Sequence, residues 1–191
     1  METIALLALA FLLGAGGLNK EEVEYIDSNI EETQELYNPS STRTSDIIHT
    51  NLSVRFDWEN QHLHGTAEIT VKPYFHATKE LTLDAKGFDI HSINMGEQAL
   101  SYQYEDNKLI IQLDRVYHRT ENYTISIDYT AKPNELVTEG GTAITDAKGL
   151  YFINPLGKED KPQQIWTQGE TEYSSCWFPT IDKPNERMTQ N

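Results

Sequence analysis

The chain has 191 residues, 38% of them hydrophobic and 24% charged, and 15 basic against 30 acidic side chains give it a formal net charge of -15. That length holds one domain with a hydrophobic core and leaves room for a short appendage. The acidity excludes nucleic acid and anionic membrane as partners, because both repel an acidic surface, and it favours solubility and cationic ligands such as a peptide amine.

Ile4 to Leu13 is a continuous apolar run, followed by Gly14-Ala15-Gly16-Gly17. It is too short to span a bilayer. It fits the apolar region of a secretory signal with small residues at the cleavage point, although no basic residue precedes it. Residues 1–17 are therefore expected to be a signal-like segment, and the protein to be exported to a periplasm or the extracellular space. In residues 18–45, Val23, Ile26, Ile30 and Tyr37 follow one another at spacings of three, four and seven. These spacings predict one weak amphipathic helical stripe. Asn38-Pro39-Ser40-Ser41-Thr42 then reads as a break and linker.

From Asp46 the period changes to two. Leu52, Val54, Phe56 and Trp58 alternate with polar residues, as do Leu63, Gly65, Ala67, Ile69 and Val71. Leu81 and Leu83, Phe88 and Ile90, and Leu100, Tyr102 and Tyr104 continue the pattern. Leu109, Ile111 and Leu113, then Tyr123, Ile125, Ile127 and Tyr129, complete it. Such alternation sets one face of each strand against a core and the other in water. Glu59-Asn60, Lys86-Gly87, Asn94-Met95-Gly96 and Asp106-Asn107 supply turns, and Pro73 and Pro133 belong at strand ends or edges. After a loop from Gly140 to Gly149, Leu150-Tyr151-Phe152-Ile153 reads as a short strand and Gln164-Ile165-Trp166-Thr167 re-enters the sheet, with Lys158 to Lys161 exposed between them. The fold expected over residues 46–191 is all-β, an antiparallel sandwich or saddle-like sheet.

Few residues offer chemistry. Cys176 is the single cysteine, which excludes an internal disulfide and a thiolate zinc site, and it reads as a structural thiol. His62 and His64 share a strand face opposite to Leu63, Ala67 and Ile69, which predicts two solvent-facing rings rather than a metal site. His49, His76, His91 and His118 are scattered, and no phosphate loop or nucleophile elbow occurs. Gln168 and Glu170 remain. On an extended segment they project from one face, with Gly169 allowing close approach of another group. A carboxylate beside an amide can bind an ammonium and a peptide group.

Thr167-Gln168-Gly169-Glu170, Cys176-Trp177-Phe178-Pro179 and Asp182-Lys183-Pro184 resemble, in order and spacing, the substrate-facing edge of the N-terminal domain in the aminopeptidase N family of zinc metallopeptidases. Leu83-Asp84-Ala85 and Gly149-Leu150-Tyr151 resemble two strand segments of the same domain, so the resemblance runs from Asp46 to Met188. It implies that Glu170 binds the free amino terminus of a peptide substrate and that Gln168 lines the first specificity pocket. It makes Pro179, Asp182 and Pro184 structural. Two departures stand out: Lys183 occupies a position where glutamate is common, and Tyr173-Ser174-Ser175 takes the place of an arginine often found ahead of Phe-Pro.

The family's H-E-x-x-H zinc helix and G-x-M-E-N element have no counterpart in the chain. The resemblance therefore implies an N-terminal domain, truncated before its catalytic domain, of an enzyme that hydrolyses amino-terminal residues from peptides. Zinc would be bound by the missing domain; this chain would carry no catalytic residue, hold no metal and be inactive alone. Its face bearing Gln168, Trp177 and Phe178 is expected to be partly apolar. The alternative is a non-catalytic β-sandwich module for binding or adhesion.

Overall fold

The computed structural model describes residues 42–136 and 148–191, so the signal-like run and the helical stripe lie outside the described residues. Strand begins where the period-two pattern begins. β1 (Ser45–Asp57) and β2 (His62–Pro73) form a long antiparallel hairpin, with Ser45 opposite Pro73 and Asp57 opposite His62. β3 (Thr78–Asp84), β4 (Phe88–Met95), β5 (Gln98–Ala99), β6 (Tyr102–Glu105), β7 (Lys108–Tyr117) and β8 (Tyr123–Ala131) follow. A 3-10 turn at Pro133–Glu135 comes next, then β9 (Leu150–Ile153), β10 (Gln164–Thr167), a second 3-10 turn at Ser174–Cys176, and β11 (Thr189–Gln190).

These strands make a six-stranded sheet in the order β11-β1-β2-β8-β4-β5, a three-stranded sheet β3-β7-β6 and a two-stranded sheet β10-β9. Every pairing is antiparallel except that of β11 with β1. The all-β expectation therefore holds.

The two larger sheets share one core. Leu63, Ala67, Ile69 and Val71 of β2 and Ile125, Ile127 and Tyr129 of β8 are fully buried from one side. Leu81 and Leu83 of β3 and Leu109 and Ile111 of β7 are fully buried from the other. Each such aliphatic side chain stabilises the fold by about 1.5–3 kcal/mol relative to exposure. Gly65 is small for a reason: a Cβ there would lie 2.7 Å from the Tyr129 ring. Tyr129 thus reaches across β2, stacks on Phe88 at 5.0 Å, and donates its hydroxyl to the Trp177 carbonyl at 3.1 Å.

Two local results differ from the pattern. Leu100, Tyr102 and Tyr104, read as one alternating set, are divided between two sheets. β5 pairs with β4 and β6 pairs with β7, and the chain changes sheet at Leu100-Ser101. The backbone marks the crossing: Leu100 N–H donates to Ile93, while Ser101 C=O accepts from Gln112. Asp106 and Asn107, with φ of 50° and 61°, then form the two-residue hairpin turn that matches the twist of β6 and β7.

The second difference concerns the histidines. His62 and His64 do lie opposite the buried Leu63, but both are half-buried and bonded. His62 Nε2 lies 2.8 Å from Glu135 Oε1, and His64 Nδ1 lies 3.0 Å from Thr130 Oγ1. His91 Nε2 approaches the same hydroxyl at 2.8 Å.

Candidate functional site

The segment from Gly149 to Glu186 carries the residues that the resemblance singles out. It begins with the β9–β10 hairpin. Leu150 and Phe152 point into the core, and Phe152 meets Phe56 and Trp58 edge-on at 6.2 and 5.6 Å. On the other face Tyr151 stacks on its register partner Trp166 at 4.5 Å. The loop between the strands is closed by buried Asn154, whose amide donates to the carbonyls of Glu159 and Lys161 at 3.2 and 2.5 Å. Residues 158–161 themselves are exposed.

Gln168 directly follows β10, and its N–H donates to Gly149 C=O at 2.9 Å. There the strand ends. Glu170 lies in a turn, so strand alternation does not reach it, and the shared face expected for Gln168 and Glu170 is not set by a strand. Gln168 is half-buried and Glu170 is exposed. Among the described residues the Glu170 carboxylate has no hydrogen-bond or ion-pair partner.

The turn around Glu170 is held on every side. Gly169 C=O accepts the Tyr173 N–H at 2.9 Å, and a Cβ on Gly169 would lie 2.4 Å from Ser174 Oγ. The close approach that Gly169 permits is therefore that of Ser174. Gly149, at φ +71°, brings the start of β9 under the same turn; a Cβ there would lie 1.9 Å from the Tyr173 oxygen. Only glycine fits both that conformation and that gap.

A buried pair of aspartates ties the turn to the body. Asp84 ends β3 and exchanges backbone hydrogen bonds with Thr180 at 2.6 and 3.1 Å. Its carboxylate accepts the Asp182 N–H at 2.9 Å and pairs with Lys108. The Asp182 carboxylate in turn accepts the Ser175 N–H at 2.8 Å. Lys86 N–H donates to Ser175 C=O at 2.8 Å, and its ammonium reaches the Glu172 carbonyl at 2.5 Å. The two segments of the resemblance that lie 98 residues apart, Leu83-Asp84-Ala85 and Asp182-Lys183-Pro184, are thus one interlocked unit. Burial raises the Asp182 carboxyl above its ordinary value despite the Ser175 N–H and nearby Lys86, which oppose the shift.

Lys183, the departure from the common pattern, donates to Glu172 Oε2 at 2.5 Å, and that bond holds its ammonium above the ordinary lysine value. Glu186 completes the connection: Oε1 accepts the Ile47 N–H at 2.8 Å and Oε2 pairs with Arg43 at 2.9 Å. The following residues pair with β1 as β11.

The surface differs from expectation in one respect. Phe178 is 3% exposed and belongs to the core, and Trp177 is half-buried. The exposed aromatic beside Gln168 is instead Trp166, at 47%. Cys176 is fully buried, which pushes its thiol up to about 11 and keeps it protonated and inert. Among the described residues no group of three or more His, Cys, Asp or Glu side chains could hold a metal ion. The spacing of the sequence motifs did not bring out Lys86 or the partner of Lys183. Their signal is only that a basic residue follows each of two aspartate-containing turns.

A family model described as the peptidase M1 N-terminal domain matches residues 46–191. Transcription initiation factor TFIID subunit 2 of Schizosaccharomyces pombe is 22% identical over 166 residues, 74% of this chain and 14% of that protein. An M1 zinc metallopeptidase from Deinococcus radiodurans superposes with a TM-score of 0.62 at 19% identity, over 81% of this chain and 33% of that one. Leukotriene A4 hydrolase from Saccharomyces cerevisiae gives 0.61 at 18% identity, over 85% of this chain and 26% of that one. A variant of the Deinococcus radiodurans peptidase, described as bound to a Tyr-Ser-Ala substrate, gives 0.59 at 18% identity over 81% and 33%. The fold is therefore that of the superposed peptidase and hydrolase structures, and the chain spans a third or less of the length of each of these relatives.

Proposed function

Because the chain belongs to the peptidase M1 N-terminal domain family, we propose that it is the substrate-cleft domain of a zinc-dependent aminopeptidase, with Glu170 holding the free amino terminus of a peptide and Gln168 beside it. One observation carries this reading: Glu170 is an exposed carboxylate, without a partner among the described residues, on a turn that is otherwise fastened at Gln168, Gly169, Glu172 and Ser175. A carboxylate presented by a fixed turn accepts charge-assisted hydrogen bonds from an ammonium without paying to order its own backbone. The net charge of -15 further favours a cationic group over an anionic one.

Zinc does not fit the residues present. The sequence contains no H-E-x-x-H, and the described residues contain no cluster of ligands. Metal and base would come from a catalytic domain that this chain does not include, and the chain's own part is to bind and orient the amino end of the peptide. The Deinococcus radiodurans relative described as bound to a Tyr-Ser-Ala substrate supports a peptide as the ligand. Export is part of the proposal and rests on the apolar run Ile4 to Leu13 and the small residues after it. Amino-terminal sequencing of the mature protein tests it, and retention of residues 1–17 would refute it.

The Schizosaccharomyces pombe relative favours a second reading, since its name is that of a transcription initiation factor subunit. On that reading the chain is a non-catalytic β-module. The Glu170→Gln substitution in the protein with its catalytic domain separates the two. It keeps shape and hydrogen-bonding reach but removes the charge. Loss of one side of a desolvated charge pair costs about 2–4 kcal/mol. That corresponds to a fall of roughly 30- to 1000-fold in kcat/KM on a free-amine dipeptide. Zinc content should stay unchanged. Equal activity of variant and wild type would rule out the role of Glu170, and absence of any peptidase activity in wild type would favour the second reading.

A further inference from the structure

Glu170 and Glu172 stand two residues apart in one turn, yet their surroundings differ. Glu172 Oε2 is bonded to Lys183 Nζ at 2.5 Å, and Lys86 Nζ, 5.0 Å from the centre of the Tyr173 ring, bonds the Glu172 carbonyl at 2.5 Å. Among the described residues Glu170 has no such partner. Lys183 is delivered from a held backbone, because it directly follows Asp182, whose N–H and carboxylate are both committed. The pair is also at the surface: the Lys183 side chain is 25% exposed and that of Glu172 is 41% exposed. Glu172, once released, would face solvent in the same turn as Glu170.

Resting on the reading of Glu170 given above, we infer that Lys183 is a specificity-determining residue. By occupying the Glu172 carboxylate it leaves Glu170 as the one carboxylate of the turn without a partner among the described residues, which sets the turn for a ligand with one positive charge. An amino terminus with no second cation beside it is such a ligand. Two free carboxylates at these positions would favour a dication, such as an amino-terminal lysine, since attraction grows with each unit of charge. The ammonium of Lys183 also repels a second cation directly, so discrimination comes from repulsion as well as from a missing partner.

The test is a titration of the 191-residue chain with L-alaninamide, which carries one positive charge, and with L-lysinamide, which carries two. Backbone amide shifts across Gln168 to Ser175 report binding. Wild type should bind L-alaninamide more tightly than L-lysinamide. Lys183→Gln should move the preference toward lysinamide by roughly two- to fivefold, the size of a partly exposed ion pair. Adding Glu172→Gln to Lys183→Gln should reverse the part of that gain that comes from the freed carboxylate. A merely structural role for Lys183 would weaken both amides together, leaving their ratio unchanged. An unchanged ratio in Lys183→Gln overturns the inference and leaves Glu170 standing. Failure of wild type to bind either amide, or undiminished binding by Glu170→Gln, overturns the reading of Glu170 and this inference with it.

Discussion

The paired sheets and the segment from Gly149 to Glu186 are held by different forces. In the sheets, apolar side chains recur at alternate positions and are fully buried from both sides, as with Ile69 and Val71 against Leu83 and Ile111. In the segment the strands are four residues long, and the chain is fastened largely by polar bonds between distant residues. Asp84 to Asp182, Lys86 to Ser175 and Glu172 to Lys183 are such bonds. Burial gives the body its cooperativity. Hydrogen bonds, which are directional, give the turn around Glu170 its shape. The two properties should therefore respond to different substitutions.

The largest effect belongs to the core. Ile127→Ala removes a fully buried side chain at the centre of the six-stranded sheet and should cost about 2–5 kcal/mol in urea unfolding. Unfolding should remain a single transition. Asp182→Ala is next: it leaves the Ser175 N–H without its acceptor, which costs about 1–3 kcal/mol. Hydrogen exchange should accelerate at Ser175 far more than at Ile127. Equal acceleration at both would mean that the segment has no separate fastening, and the comparison would fail.

The pH dependence sharpens the same point. Burial raises the Asp182 and Glu186 carboxyls, so each binds a proton more readily folded than unfolded. Between the ordinary carboxylate value and the raised one, stability from these groups increases as pH falls. Asp182→Asn keeps an acceptor for Ser175 and removes the titration. The stability of wild type relative to Asp182→Asn should therefore improve as pH is lowered from about 7 to about 4. A change in the opposite direction would show that hydrogen bonding, not burial, dominates at Asp182. The smallest effect on stability is that of Lys183→Gln, about 0–1 kcal/mol and weakened by salt, because the ion pair is partly exposed. Its effect on ligand preference should nonetheless be measurable.

Period-two alternation made most of the body legible, because burying one face leaves a signature in the order of residues. β2 shows it at Leu63, Gly65, Ala67, Ile69 and Val71, all buried. Alternation cannot show which sheet a strand joins, so the crossing at Leu100-Ser101 was invisible in Leu100, Tyr102 and Tyr104. β11 left no pattern either. It is two exposed polar residues, and what places it is the backbone of β1. At the candidate site, the family resemblance pointed to Gln168 and Glu170, but the settings of the carboxylates in that turn depend on partners remote in sequence. Lys86 is 86 residues from Glu172. Lys183 read as a departure from a common pattern until its bond to Glu172 supplied the reason.

The central claim is that Glu170 presents an unpaired carboxylate to a ligand ammonium. Its most direct measurement is a nuclear magnetic resonance titration of the chain with L-alaninamide and, separately, with N-acetyl-L-alaninamide, which has no amine to protonate. The account predicts saturable shifts at Gln168 to Glu172 with the free amine, none with the acetylated compound, and their loss in Glu170→Gln while the rest of the spectrum is unchanged. Identical shifts with both compounds, or an undiminished response of Glu170→Gln to the free amine, would contradict it.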